Sequence, residues 1–195
     1  MINNLSNDLK RNGVIAASAG NHAQGVAYAS SLDNINCTIV MPKNASPAKI
    51  AATKSYGAKV ILAGNNYDES FEICKEISNK ENQKIIPAFD DPDIIIGQGT
   101  IGLEIVEDLK EIDEIYIPIG GGGLISGIAF VLKTIRPKIR IIGVESSAFP
   151  AMKKSIESNK IVTVQKGYTI ADGISVKCPG KLPFEMIKKY VDDIV

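Results

Sequence analysis

The chain has 195 residues, enough for one large domain or two small ones, and is 45% hydrophobic and 23% charged, an ordinary globular make-up. Lysine plus arginine and aspartate plus glutamate both number 22, so the net charge is zero, which argues against the basic face of a nucleic-acid binder. No apolar run approaches the roughly 20 residues that span a bilayer. The polar N-terminus lacks a signal-peptide core, and three scattered cysteines with a single histidine form no zinc pattern, so neither nucleic acid nor membrane is expected as a partner and a reducing cytoplasm is the expected location.

Taken in chain order, apolar runs alternate with amphipathic segments. "GVIAA" (13–17) reads as a short buried strand, followed by helical spacing from Ala23 to Ser31. "CTIVMP" (37–42) is a second strand, stopped by Pro42. "SPAKIAATKSYG" (46–57) is a helix with Ser46 as N-cap, Pro47 in the first turn and Gly57 as C-cap. "AKVILAG" (58–64) is a third strand, Tyr67 to Asn79 a helix, and "KIIPAF" (84–89) a fourth strand. "DDPD" (90–93) is a break and a candidate domain boundary, with a helix from about Gly97. "EIYIPIG" (114–120), "GGLISGIAFVLKTI" (122–135) and "IRIIGVES" (139–146) read as strand, helix and strand. Lys166 to Val195 is less regular, and "ADGISVKCPGK" (171–181) reads as a loop. The β-α-β-α order with short connections predicts an α/β fold of parallel sheets covered by helices.

Two stretches carry chemistry. Four glycines, Gly120 to Gly123, lie directly between a strand and a helix. Free N–H groups at a helix start, with the helix dipole, make an anion site, and a phosphate is the obvious guest. The dinucleotide pattern G-x-G-x-x-G fits poorly, Glu145 at the end of the next strand being its only support, and no Lys-Ser/Thr follows as a P-loop requires. A phosphate-bearing cofactor remains. The other stretch, Ser18-Ala19-Gly20-Asn21-His22, falls at a strand's carboxyl end, where ligands sit in such sheets. It reads either as backbone and hydroxyl donors for a carboxylate or as a helix start that Ser18 or Asn21 merely caps. His22 reads as a loop-shaping residue or a general base.

"AASAGNHAQGVA" and "IPIGGGGLISGIA", in this order, resemble the fold-type-II pyridoxal-phosphate enzymes, the tryptophan-synthase-β-like group, and within it the threonine dehydratase (threonine ammonia-lyase) family. "MPKNASPAKIAATKSYGAKVIL", "DDPDIIIGQGTIGLEI" and "GYTIADGISVKCPG" also look like that family, so the resemblance runs from about Asn12 to Val195. It implies pyridoxal 5'-phosphate as cofactor, an amino acid as substrate, and a homo-oligomeric lyase of threonine catabolism or isoleucine biosynthesis. It further implies that Gly120, Gly121, Gly122, Gly123 and Leu124 bind the cofactor phosphate, that Asn21 bonds the ring's phenolic oxygen, and that Gly173 lines the ring's edge. Ser18, Ala19, Gly20, Asn21 and His22 would grip the substrate carboxylate, the loop being bare because cofactor and substrate fill the volume. The implied domains are a small mobile one over 13–90, part of a larger cofactor-binding one over 91–195, and a leading helix of the larger over 1–12.

The pattern also departs from the family. Its Schiff-base lysine lies upstream of the Ser18 loop in a Ser-x-Lys-x-Arg-Gly-like segment, and "MINNLSNDLKRNG" contains nothing like it. No candidate appears for the serine or threonine that contacts the pyridine nitrogen. The chain is therefore expected to be a fragment that is inactive alone, with a non-catalytic binding module as the alternative. Racemases of this group carry a second serine where this chain has Ala19, which favours dehydration of threonine, and serine with it, over racemisation. Relatives that bind a divalent cation use a glutamate and a nearby aspartate. Glu145 matches the first, but Phe149, Pro150 and Ala151 stand where the aspartate would be, so no metal is expected.

Overall fold

The computed structural model describes residues 1–165 and 167–195; Lys166, where the less regular final stretch was expected to begin, lies outside them. The chain divides into two units, Met1–Ala88 and Phe89–Val195.

In the first unit a short 3-10 turn (Ile2–Asn4) and α1 (Asn7–Asn12) precede β1 (Val14–Ala17), α2 (Asn21–Leu32), β2 (Cys37–Met41), α3 (Pro47–Ser55), β3 (Lys59–Leu62), α4 (Tyr67–Glu81) and β4 (Lys84–Ile85). The four strands form a parallel sheet in the order β3-β2-β1-β4, with Ala17 opposite Val40 and Ile15 opposite Ile85. Every residue of β1 and β2 is buried, which is the signature of central parallel strands covered on both faces. On one face α4 packs Phe71, Cys74 and Ile77 against Ile15, Ala17 and Val40. Burial pushes the thiols of Cys37 and Cys74 up to about 11, so both behave as small core residues. Residues 1–12 are grouped with this unit: Ile2 is buried and Lys10 pairs with Asp33 at 3.1 Å.

The second unit contains α5 (Pro92–Asp108), β5 (Glu114–Pro118), α6 (Gly123–Ile135), β6 (Arg140–Val144), α7 (Ala151–Ser158), a 3-10 turn (Asp172–Ile174), α8 (Lys181–Tyr190) and β7 (Asp193–Ile194). Its three strands are parallel in the order β5-β6-β7. Ile117 and Ile119, Ile125, Ile128 and Leu132 of α6, Ile141, and Phe184 and Ile187 of α8 share one core.

Three local readings change. The helix expected from Gly97 starts at Pro92, because Asp91 accepts the Asp93 N–H at 2.9 Å and proline suits the first helical position, where its missing N–H costs nothing. The fourth strand is only two residues long, although the ladder continues through Ile86 N–H to the Ile15 carbonyl at 2.9 Å. The final stretch is more regular than expected and contains α8 and β7. Asp90 stabilises α8 by accepting the Lys181 and Leu182 N–H groups at 3.0 and 2.9 Å. Ser46 is the N-cap residue of α3, as expected, without a side-chain hydrogen bond to the helix.

α5 and α6 meet backbone to backbone. A Cβ added at Gly127 would overlap the Ile95 carbonyl and come within 2.6 Å of the Gly99 nitrogen, both rigid helix backbone. Gly127→Ala is therefore expected to destabilise the protein by at least about 1–3 kcal/mol, the cost of overpacking, measured as a lower urea midpoint with unchanged slope.

Candidate functional site

In the second unit β5 feeds through Gly120, Gly121 and Gly122 into α6. The loop's carbonyls are tied off. Gly121 O accepts the Gly180 N–H at 3.0 Å, and Gly122 O accepts both the Ser126 N–H at 3.1 Å and the Ser126 hydroxyl at 2.7 Å. Its N–H groups are not: those of Gly121, Gly122, Gly123 and Leu124 donate to no acceptor among the described residues. Gly122, at φ +96°, turns the chain into the helix. Gly121, Gly122 and Gly123 are buried, so these are sequestered donors at the positive end of a 13-residue helix, a setting that fits a phosphate group.

The chain itself fills the loop's other side. A Cβ at Gly121 would overlap the Phe89 ring. One at Gly123 would lie 2.9 Å from Phe89 Cα and Cβ, one at Gly122 2.7 Å from Pro183, and one at Gly120 3.2 Å from Val176 and 3.4 Å from the Gly173 carbonyl. The glycines are thus required by packing behind the loop, and Gly173 stands beside Gly120.

In the first unit, Ser18 follows β1 and its N–H donates to Val40 O at 3.1 Å. The Ser18 hydroxyl accepts the Gly20 N–H at 3.2 Å, Gly20 is the N-cap residue of α2, and Asn21 is the first helical residue. Neither Ser18 nor Asn21 caps the helix with its side chain, which removes the capping alternative. The N–H groups of Ala19, Asn21 and His22 have no acceptor among the described residues, and the exposed Asn21 amide makes no hydrogen bond there. A Cβ at Gly20 would meet nothing within 4 Å, so this loop opens onto free space, unlike the glycine loop.

His22 bonds through Nε2 to the Ile86 carbonyl at 3.0 Å. A carbonyl only accepts, so the hydrogen sits on Nε2. Burial pushes the imidazole below its ordinary range, against the opposing pull of that carbonyl. The ring therefore ties the loop to the segment after β4. Glu145 accepts the Met152 and Lys153 N–H groups at 2.9 and 2.8 Å, which caps α7, and burial raises its carboxyl despite these two donors. Cys178 is exposed.

Sequence reasoning missed the residues that brace the glycine loop: Phe89, Asp90, Ser126 and Gly180. Asp90 carried a readable signal, an acidic pair before a proline. Phe89 carried none, because its partners lie more than 30 residues away.

The comparisons with known proteins follow the same lines. The family described as "Pyridoxal-phosphate dependent enzyme" matches residues 1–195. The chain is 47% identical to the L-threonine ammonia-lyase of Thermotoga maritima over 194 residues, covering 100% of this chain and 48% of that protein. The chain thus spans about half the length of that relative. Among solved structures it is similar to the processed threonine deaminase isoform 2 of Solanum lycopersicum, at a TM-score of 0.94 and 44% identity over 100% of this chain and 57% of that one. It is also similar to maize serine racemase, at 0.92 and 36% over 98% and 58%.

Two outcomes are expected. Gly123→Ala costs about 1–3 kcal/mol of stability, whereas Gly20→Ala stays within about 0.5 kcal/mol, both read by urea denaturation. For His22, the unfolded imidazole titrates near its ordinary value and the folded one lower, so between the two the unfolded chain binds more protons. Stability is therefore lost as pH falls below about 6.5, the ordinary histidine value. The calorimetric Tm should drop from pH 7.5 to 5.5, and drop less in His22→Gln.

Proposed function

The chain belongs to the family of pyridoxal-phosphate-dependent enzymes, and from that premise we propose that it supplies the cofactor- and substrate-binding loops for dehydration and deamination of L-threonine, and of L-serine with it, to a 2-oxo acid and ammonia. The observation that carries this reading is the glycine loop, with its carbonyls tied off and its N–H groups free, in a chain 47% identical to a threonine ammonia-lyase.

Pyridoxal phosphate, when bound, supplies an electron sink for the charge left on the substrate's Cα after its proton is removed. The chain's own residues bind and orient. Gly120 to Gly123 with Leu124 hold the phosphate, Asn21 bonds the ring's phenolic oxygen, and Gly173 borders the ring. Ser18, Ala19, Gly20, Asn21 and His22 receive the substrate carboxylate, with His22 holding the loop's shape through Ile86 and not acting as a base. In this reading residues 13–90 form the smaller domain and 91–195 belong to the larger.

The likeness to maize serine racemase favours racemisation as a second reading. Against it, Ala19 offers a methyl group where a proton donor would be needed.

Residues 1–195 contain no Ser-x-Lys-x-Arg-Gly-like segment, so alone they are expected to bind without turnover. Placed in the Thermotoga maritima relative in exchange for the matching stretch, they are expected to release 2-oxobutanoate and ammonia in equal amounts from L-threonine. A well-folded, cofactor-loaded chimera that releases neither would overturn the assignment, and one that interconverts serine enantiomers without releasing ammonia would favour the racemase.

A further inference from the structure

The geometry points to Phe89 as a positioning residue for the phosphate-binding loop, with Asp90 holding it in place; this rests on the reading of Gly120–Leu124 as the phosphate cradle.

A glycine run loses more conformational freedom on ordering than any other sequence, and a loop left mobile would charge that cost to the ligand. Here the chain orders the loop in advance. The Phe89 ring lies where a Gly121 side chain would be, and its Cα and Cβ stand 2.9 Å from where a Gly123 Cβ would be. The next residue, Asp90, accepts the Lys181 and Leu182 N–H groups at 3.0 and 2.9 Å. The residue before those two, Gly180, donates its N–H to Gly121 O at 3.0 Å. Phe89–Asp90 and Gly180–Leu182 thus form a closed bracket around Gly121: the ring blocks one side and a hydrogen bond fixes the carbonyl. With Ser126 fixing the Gly122 carbonyl, the remaining freedom of these peptides is removed while their N–H groups stay available. Phe89 is only half-buried, so its work is local to the loop and not that of a central core residue.

The test compares pyridoxine 5'-phosphate with pyridoxine, neither of which has an aldehyde to react with lysines, by calorimetry on the protein. The unaltered chain is expected to prefer the phosphorylated ligand. Phe89→Ala should reduce that preference about tenfold, with pyridoxine affinity unchanged, and Phe89→Tyr should restore it. Asp90→Ala should act in the same direction. Asn66→Ala, which removes the cap of α4 in the other unit, should lower the Tm and leave the preference untouched. Without ligand, the backbone ¹⁵N order parameters of Gly120 to Gly123 should be those of rigid backbone, about 0.85, and fall below about 0.6 in Phe89→Ala. No phosphate preference in the unaltered chain would overturn the cradle reading and the proposal with it. A preference that survives Phe89→Ala, or order parameters that do not change, would overturn the role of Phe89 alone.

Discussion

A peptide group has two polar ends, and the second unit's site depends on which end is spent. Around Gly121 and Gly122 the carbonyls are spent internally, on the Gly180 N–H and on both polar groups of Ser126. That leaves the N–H ends without partners among the described residues in a buried place, an arrangement a folded chain tolerates only where something else satisfies them. The start of α6 adds its dipole to the same spot. The Ile117–Ile119 strand end, the Ile125–Leu132 face of α6 and the Phe184–Ile187 face of α8 form the core that holds these pieces in register.

The two glycine-bearing loops look alike as sequence and are built on opposite grounds. Around Gly121 and Gly123 the chain packs its own side chains so closely that nothing larger than hydrogen fits. At Gly20 the space is empty. One loop is bare because protein presses on it from behind; the other faces open space. Small residues on their own do not distinguish these cases; the neighbours do.

Much of the architecture could be read from local pattern, because the buried strands are mostly apolar runs: "VIAA" and "CTIVM" are strands within a residue of expectation, and "RIIGV" within two. The place of the glycine loop, between β5 and α6, was readable too. What failed was reading that required distant partners. α8 carries Phe184 and Ile187 at helical spacing, yet a glycine before it and Pro183 in its first turn disguise it; proline is tolerated there, and the cap comes from Asp90, more than 90 residues away in sequence. β7 is two residues long and exists only because β6 pairs with it. His22 read as a loop-shaping residue or a base, and choosing between them needed its bond to the Ile86 carbonyl, 64 residues away.

Among the described residues, positive φ without glycine occurs at Asn34, Asn82 and Asn159, the last two ending α4 and α7. Asparagine tolerates this backbone region because its short polar side chain bonds locally. Gly122 shares the sign of φ, but Pro183 and the Met152 methyl would stand 2.7 and 2.9 Å from any side chain there. Exchange between these two residue types is therefore one-way. Glycine can replace the helix-ending asparagines at the modest cost of a freer unfolded chain, while asparagine at 122 meets a wall. The helix ends can therefore exchange these residue types one position at a time, whereas a side chain at 122 is admitted only if Pro183 and Met152 give way as well.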